Sequence, residues 1–268
     1  MERRHGLGGV KVGVLLSFLL MIAVNGLAER MHLFGVTTAD IAGRYPNLLT
    51  PPNITFAIWG VIYVLLGLST LYQVGVIRKG ATRISAAHMS QIGVYFILSS
   101  LLNIAWLVAW HADRIGLSFL ILLGLLWCLI PILELLRGEE LSRQETWFLQ
   151  VPFAIYAAWV LVAVIANATV LLVKLGWNGF GLSESTWTIM MLALLTLLAL
   201  AMLIRFRLPL MGVVFLWALG GILGKHLSSQ GFDGAYPNLI ATLIVAMALV
   251  LIFTLYVLFS NRSRKRIR

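Results

Sequence analysis

Long apolar stretches, separated by short polar segments, run along the whole chain. Each is close to the roughly 20 residues that an α-helix needs to cross the hydrocarbon core of a bilayer. The stretches cover about residues 10–28, 54–77, 89–110, 115–136, 147–175, 187–204, 208–223 and 239–260. The seventh is short and glycine-rich, which makes it the weakest of the set. The pattern predicts an all-α integral membrane protein with eight transmembrane helices.

The composition excludes a water-soluble globular fold. Of the 268 residues, 60% are hydrophobic and only 11% are charged, against about 25% charged in ordinary soluble domains. The single cysteine, Cys128, lies in an apolar stretch, so the chain has no intrachain disulfide and no cysteine-based metal site.

The basic residues predict how the chain is oriented. The net charge of +10 would suggest nucleic acid in a soluble protein, but in a membrane protein it reports loop topology. If both termini are cytoplasmic, the inner segments hold 15 of the 20 Lys and Arg residues. We therefore expect cytoplasmic N- and C-termini and no nucleic-acid partner. The basic tail at 261–268 is typical of a stop-transfer anchor, with contact to anionic lipid as the alternative.

The start of the chain permits a second interpretation. Residues 1–28 resemble a secretory signal peptide, with a basic beginning and small residues near a possible cleavage site. The apolar run of about 19 residues is long for such a peptide and sufficient to span. We favour a retained first span.

The longest connection, residues 29–53, is predicted to be an ordered lid on the outer side. Pro46, Pro51 and Pro52 restrict its backbone, and a loop of this length is more often functional or self-packed than idle. Its apolar side chains would be poorly placed in water: Leu33, Phe34, Ile41, Leu48 and Leu49. Asp40 and Arg44 are spaced to pair within one helical turn. The alternative is a loop that lies in the headgroup layer.

Aromatic and amide residues recur at helical spacing in three predicted spans. They are Phe56, Trp59 and Tyr63 in the second span, Asn103, Trp106 and Trp110 in the third, and Tyr156, Trp159 and Asn167 in the fifth. At 1.5 Å per residue, the three stripes meet roughly 8–10 Å below the outer surface. This predicts a pocket for a flat apolar ligand beneath the lid. Alternatively, the tryptophans form interfacial belts and the amides join helices.

Several kinds of chemistry find no support. No span carries an ionised side chain near its middle, which argues against a proton relay or voltage sensor. The chain has no phosphate-binding glycine loop, zinc-protease helix or hydrolase nucleophile elbow. His111-Ala112-Asp113 is too weak a pattern for a metal site. We predict no catalytic residue, no metal and no required cofactor.

Two glycine pairs are spaced for close helix packing. Gly60 and Gly67 lie seven apart in the second span, and Gly220 and Gly224 form Gly-x-x-x-Gly in the seventh.

The aromatic stripes occur within motifs that resemble a known family. The motifs are Pro51-Pro52-Asn53 followed by Phe56, Trp59, Tyr63 and Gly67; Leu102-Asn103-Ile104-Ala105-Trp106; Arg114-Ile115-Gly116-Leu117; and Tyr156-Ala157-Ala158-Trp159 with Asn167. In this order and spacing, about residues 10–175 resemble the tryptophan-rich sensory protein family. Its members are the bacterial relatives of the mitochondrial translocator protein, or peripheral benzodiazepine receptor.

The resemblance implies a five-helix bundle whose first loop caps a pocket for porphyrins, sterols or synthetic aromatic ligands, often in a homodimer. The residues carried over to that pocket are Trp59, Asn103, Trp106, Trp159 and Asn167. We expect a five-span domain at 1–180, with the lid at 29–53, and a three-span extension at 181–268 that has no counterpart in the core family. A bacterial plasma membrane location follows from the same resemblance.

The chain also departs from the family pattern. One residue is missing between Phe56 and Trp59, where a proline usually stands, and Trp110-His111 replaces an aromatic pair. Pro152 lies three residues before the usual proline position, which Ile155 occupies. Residues 168–176 contain no tyrosine, so the sterol-contact pattern is absent and sterol binding is not expected.

These observations predict a membrane receptor or carrier for a flat hydrophobic ligand, with a porphyrin or haem-like tetrapyrrole as the favoured class and a sensory or regulatory role. The alternative is a secondary transporter of small amphiphilic or tetrapyrrole molecules, since eight spans exceed the family's five, although no repeated halves are visible. Weak photo-oxidation of a bound porphyrin is an enzymatic alternative that lacks a general acid, base or metal.

Overall fold

The computed structural model describes the backbone of residues 2–267 and the side chains of residues 8–261. Over that backbone range the chain is helical and contains no strand. Its α-helices are α1 (Glu2–Arg30), α2 (Thr38–Gly43), α3 (Ile58–Val74), α4 (Ala86–His111), α5 (Ile115–Arg137), α6 (Arg143–Glu145), α7 (Val151–Lys174), α8 (Glu184–Phe206), α9 (Pro209–Leu227) and α10 (Pro237–Ile267). Short 3₁₀ turns lie at Leu33–Gly35, Asn53–Ala57 and Gly179–Gly181, and a π-helical turn at Thr146–Gln150 leads into α7.

The predicted number of spans is confirmed. In the described part of the chain, 8 helical segments are long and apolar enough to cross a membrane. The seventh, Pro209–Leu227, was the weakest prediction, yet it continues through all of its glycines and ends beyond the predicted limit at 223. A proline in its first turn starts this helix, a position where the missing backbone N–H costs nothing.

The first of two compact units comprises residues 1–41 and 59–157. Within it, α4 packs against both α1 and α5. Gly67 of α3 lets the Phe18 ring of α1 approach closely, since a Cβ built on this glycine would lie 3.2 Å from the ring. Gly60, the other member of the predicted pair, has no described atom within 4 Å of its Cβ position. Of the two glycines in this pair, Gly67 therefore lies at a close helix contact and Gly60 does not.

Glu145 joins two segments of the first unit. Its Oε2 accepts a 2.7 Å hydrogen bond from the Ser142 amide, which forms a capping box at the start of α6. Its Oε1 accepts from the amides of Arg83 and Ile84, at 2.8 and 3.0 Å, in the connection before α4. The carboxylate is fully buried. One side chain thus satisfies three backbone donors from two distant parts of the chain.

The second unit comprises residues 42–58 and 158–268. Helix α10 packs against both α8 and α9. At the α9 contact, Gly212 faces Thr254 so closely that any Cβ at this position would overlap the threonine side chain. The turn between α8 and α9 is closed by Asn261, whose Nδ2 donates a 2.9 Å hydrogen bond to the carbonyl of Arg207.

Three sequence-based expectations stay predictions. The domain boundary near residue 180 is one of them; the compact units divide the chain differently, and α7 contributes residues to both. The lipid contact of the basic tail rests on the side chains of 262–268, which lie outside the described side chains. The signal-peptide interpretation rests partly on residues 1–7, whose side chains are likewise outside that range.

Candidate functional site

Trp59 lies at the centre of an aromatic cluster in the first unit. Its ring stacks on Tyr63, with centroids 5.5 Å apart, and on Trp106 at 5.7 Å. Tyr156 meets the Trp59 ring edge-on at 6.2 Å, and Trp106 stacks on Trp110 at 6.4 Å. Trp106 and Trp110 are each 5% exposed, whereas Trp59 is half-buried. Residues predicted from spacing on three separate spans therefore meet in one place.

A chain of buried hydrogen bonds runs beside the aromatic cluster. The Tyr63 hydroxyl donates to Asn25 Oδ1 at 2.7 Å. Asn25 Nδ2 donates to Asn103 Oδ1 at 2.9 Å and to the Met21 carbonyl at 2.8 Å. Asn103 Nδ2 in turn donates to the Tyr156 hydroxyl at 3.2 Å. This amide network links α1, α3, α4 and α7, and it gives the buried amides the partners they would otherwise lack in an apolar surrounding.

Asn25 was missed by the sequence reasoning. It is an amide near the end of the first apolar stretch, and the aromatic residue of that stretch, Phe18, lies seven residues before it. The signal that could have found it is its residue type, because a polar side chain inside a span usually has a partner.

The remaining predicted residues lie in the second unit. Phe56 meets Trp159 edge-on, with ring centroids 6.3 Å apart. Trp159 and Asn167 are 2% and 3% exposed. Of the nine predicted residues, six therefore belong to the cluster and network of the first unit, and three belong to the second. Whether any of them contacts a ligand stays a prediction.

The first-unit part of the long loop is folded. Asp40 and Thr37 cap α2 reciprocally: the Thr37 amide donates to Asp40 Oδ2 at 2.8 Å, and the Asp40 amide donates to Thr37 Oγ1 at 3.2 Å. Trp110 Nε1 donates to the Thr38 carbonyl at 3.1 Å, which ties α2 to the end of α4. Ile41 is fully buried, whereas Phe34 is 63% exposed.

The second-unit part of the long loop is organised by Asn47. Its Oδ1 accepts from the amides of Leu49 and Thr50, at 3.0 and 2.8 Å, in a tight turn. Leu48 and Leu49 are each 2% exposed. These contacts close the turn at residues 47–50, and the role of the loop as a lid stays a prediction.

Side chains of helix α9 donate hydrogen bonds to backbone carbonyls of this segment and of the turn that follows it. Trp217 Nε1 donates to the carbonyl of Thr55 at 2.9 Å. Lys225 Nζ donates to the carbonyl of Thr50 at 3.0 Å, and His226 Nε2 to that of Leu48 at 2.8 Å. These contacts were not predicted, because the seventh span had been assigned no role.

The chemistry available at the aromatic cluster is binding rather than proton transfer. Its described members are aromatic rings, amides and phenols, none of which is ionised at neutral pH. Trp106 Nε1 is a buried donor for which no described residue provides an acceptor.

Two clefts of the first unit lie elsewhere. One, of about 570 Å³, runs between α4 and α5 past His88, Tyr95 and Glu134. The other borders Ile22 and Gly26 on α1. None of the nine predicted ligand residues lines either cleft. In the described part of the chain, no three His, Cys, Asp or Glu residues are grouped so as to hold a metal ion.

One comparison with known proteins gives a match. A family model described as TSPO-like protein matches residues 11–257. The matched range runs from the first span into the last, so it includes the three spans beyond the expected five-helix bundle. No curated protein and no solved structure matches the chain.

Proposed function

The chain belongs to the TSPO-like protein family, and from this premise we propose that it is a membrane receptor or carrier for a flat hydrophobic ligand. The favoured ligand class is a porphyrin or haem-like tetrapyrrole. The observation that carries the proposal is the aromatic cluster around Trp59, fixed in place by the buried amide network. Stacked indole and phenol rings offer planar faces that pair well with a planar aromatic molecule.

Trp59 provides the contact surface. The other two tryptophans of the stack are almost fully buried, while Trp59 is half-buried. A planar ligand would therefore stack first on the accessible face of Trp59, and further entry would separate Trp59 from Trp106. The lost ring contact would be replaced by two new ones with the ligand, each contributing about 0.5–1.5 kcal/mol beyond area burial.

The indole N–H of Trp106 provides a hydrogen-bond donor for the ligand. Its indole N–H has no described acceptor and lies 5% exposed in the same stack. A carboxylate or carbonyl on the edge of the ligand would satisfy this donor, which favours a ring system with acidic or carbonyl substituents over a plain hydrocarbon.

The membrane context of the proposal follows the positive-inside rule. We propose that both termini are cytoplasmic, which places the long loop on the outer side of a bacterial plasma membrane. A homodimer is proposed on the family resemblance alone. The bound state is proposed to act in sensing or regulation, without covalent change of the ligand.

We expect Trp106→Phe to weaken binding of protoporphyrin IX roughly tenfold, which corresponds to about 1.4 kcal/mol. The substitution removes the indole N–H and part of one stacking surface but retains an aromatic ring. Binding is measured in detergent from the Soret band of the porphyrin, so that the readout is independent of the number of tryptophans.

Trp127→Phe is the matched control. Trp127 is 67% exposed on α5 and has the same chemistry outside the cluster. Equal affinity of the wild type and both variants would contradict the proposed site, and no binding by the wild type would contradict the proposed ligand class.

A flux measurement distinguishes a receptor from a transporter. Protein in liposomes loaded with protoporphyrin should show binding without accelerated exchange of labelled porphyrin if it is a receptor. Exchange that depends on the protein would favour the transporter alternative.

A further inference from the structure

Helix α9 runs antiparallel to the segment from Leu48 to Thr55 and contacts it repeatedly. As α9 proceeds from Trp217 to His226, its partners run back from Thr55 through Thr50 to Leu48. Trp217, Gly221 and Lys225 are four residues apart and therefore share one face of the helix. All of these contacts lie within the second unit.

Gly221 fixes the closest approach of α9 to the 3₁₀ turn Asn53–Ala57. A Cβ built on Gly221 would lie 2.9 Å from Cγ2 and 3.1 Å from Cβ of Thr55, and closer still to its hydroxyl. Thr55 is 1% exposed, and its carbonyl accepts the Trp217 hydrogen bond. Both its side chain and its backbone are therefore set by α9.

The C-terminal end of α9 packs against two aromatic rings of the segment that follows it. The His226 ring stacks on Phe232 at 4.6 Å and meets Tyr236 edge-on at 5.8 Å, and it is fully buried. The Lys225 ammonium lies 5.2 Å from the centre of the Phe232 ring. His226 and Lys225, which donate to the carbonyls of Leu48 and Thr50, are thus themselves packed against aromatic rings.

The residue after Thr55 is Phe56, one of the predicted ligand residues. Phe56 packs edge-on against Trp159, another predicted ligand residue in the same unit. A shift of Thr55 would be transmitted through one peptide bond to Phe56 and would change the angle at which its ring meets Trp159.

We infer that α9, one of the three spans beyond the expected five-helix bundle, positions Phe56 against Trp159, the two predicted ligand residues that are paired within the second unit. Trp217 and Gly221 act as positioning residues for the turn that carries Phe56, and Lys225 and His226 hold the preceding loop. This inference rests on the proposed function, because it assigns α9 a role in binding a flat ligand. It also makes a structural claim, that α9 immobilises residues 48–57.

The first test compares two neighbouring glycines of α9. Gly221→Ala should push the Thr55 turn away and weaken protoporphyrin IX binding at least tenfold. Gly220→Ala is the matched control, because a Cβ there would meet only the flexible end of Met247 at 3.8 Å. It should bind like the wild type. Adding Thr55→Ala to Gly221→Ala removes the two overlapping atoms beyond Cβ and should restore most of the affinity.

Trp217→Phe is a second variant that keeps an aromatic ring and adds no bulk. It deletes the hydrogen bond to the Thr55 carbonyl together with part of the ring surface. Amide hydrogen exchange of residues 48–57 is measured without ligand in all variants, at matched helical content. Exchange there should be at least tenfold faster in Gly221→Ala and Trp217→Phe than in the wild type and Gly220→Ala.

The outcomes separate the inference from the proposed function. If the wild type binds protoporphyrin and Gly221→Ala binds equally well, the inference is overturned while the proposed function stands. If the wild type does not bind it, the proposed function fails and hydrogen exchange decides the structural claim. Unchanged exchange at 48–57 in both variants overturns that claim.

Discussion

Glu145→Gln is expected to lower the free energy of unfolding by roughly 2–4 kcal/mol. A hydrogen bond to a charged acceptor contributes about 1.5–3 kcal/mol, and Glu145 accepts three, from the amides of Ser142, Arg83 and Ile84. A glutamine has only one acceptor oxygen, so its NH₂ group must face a backbone N–H on one side. The side chain is fully buried, so water cannot supply the missing acceptor. Thermal unfolding in detergent, followed by circular dichroism, measures the change.

The control for this prediction is Glu140→Gln, which removes the same charge from an exposed position five residues away. It should alter stability by no more than about 0.5 kcal/mol. Glu145→Asp adds a second comparison, because it keeps the charge but shortens the reach by one methylene. If Glu145→Gln unfolds at the temperature of the wild type, the carboxylate does not hold the two segments together.

The aromatic cluster shows what helical spacing can predict. Trp59 and Tyr63 are four residues apart, and Trp106 and Trp110 are likewise four apart; both pairs are stacked in the structure. The spans themselves followed from apolar length, because a bilayer imposes that length on any helix that crosses it. The meeting of the stripes that contain Trp59 and Trp106 followed from the similar depth assigned to the two stripes.

Glu145 shows where local patterns stop being informative. Ser142 and Glu145 form the Ser-x-x-Glu pattern of a capping box, a local pattern from which the start of α6 can be predicted. The bonds to Arg83 and Ile84 join residues 62 and 61 positions away. No periodicity connects such positions, because the connection depends on how separate helices are placed in three dimensions.

The glycines of α9 show a second limit. The sequence offered Gly220 and Gly224 as a packing pair, yet Gly224 has no described atom within 4 Å of its Cβ position, and the close contact lies at Gly221. Spacing identifies residues that share a face, but it does not tell which face meets a neighbour. Here the partner is a loop segment rather than a helix, so the Gly-x-x-x-Gly rule for helix pairs did not apply.

The amide network and the Glu145 contacts have a common physical basis. In a chain with 60% hydrophobic residues, apolar burial distinguishes poorly between alternative helix arrangements. Buried polar groups do distinguish them, because each must find a partner of matching geometry. Asn25, Asn103 and Glu145 each join segments distant in sequence, and their partners are therefore expected to specify how α1, α3, α4 and α7 meet within the first unit.

The amide network should show this coupling directly in a double-mutant cycle. Asn103→Leu keeps the branched shape but leaves Asn25 Nδ2 without one acceptor and the Tyr156 hydroxyl without its donor. Asn25→Leu leaves Asn103 Oδ1 without its donor and the Tyr63 hydroxyl without its acceptor. We expect each to cost about 2–3 kcal/mol, in line with the penalty for unsatisfied buried polar groups.

The double variant Asn25→Leu/Asn103→Leu should be less destabilised than the sum of the single variants, by about 1–2 kcal/mol, since the second substitution removes a group that the first had already left without its partner. Ser100→Ala is the control on the same helix: Ser100 is fully buried, but its hydroxyl donates to the Phe96 carbonyl within its own helical turn. That variant should lose less than about 1 kcal/mol.

Thermal unfolding in detergent and protoporphyrin binding are measured together, because loss of the network should release the Trp59 stack and so lower both the stability and the affinity. Strictly additive single effects would show that Asn25 and Asn103 act independently and would contradict the coupling expected of the network.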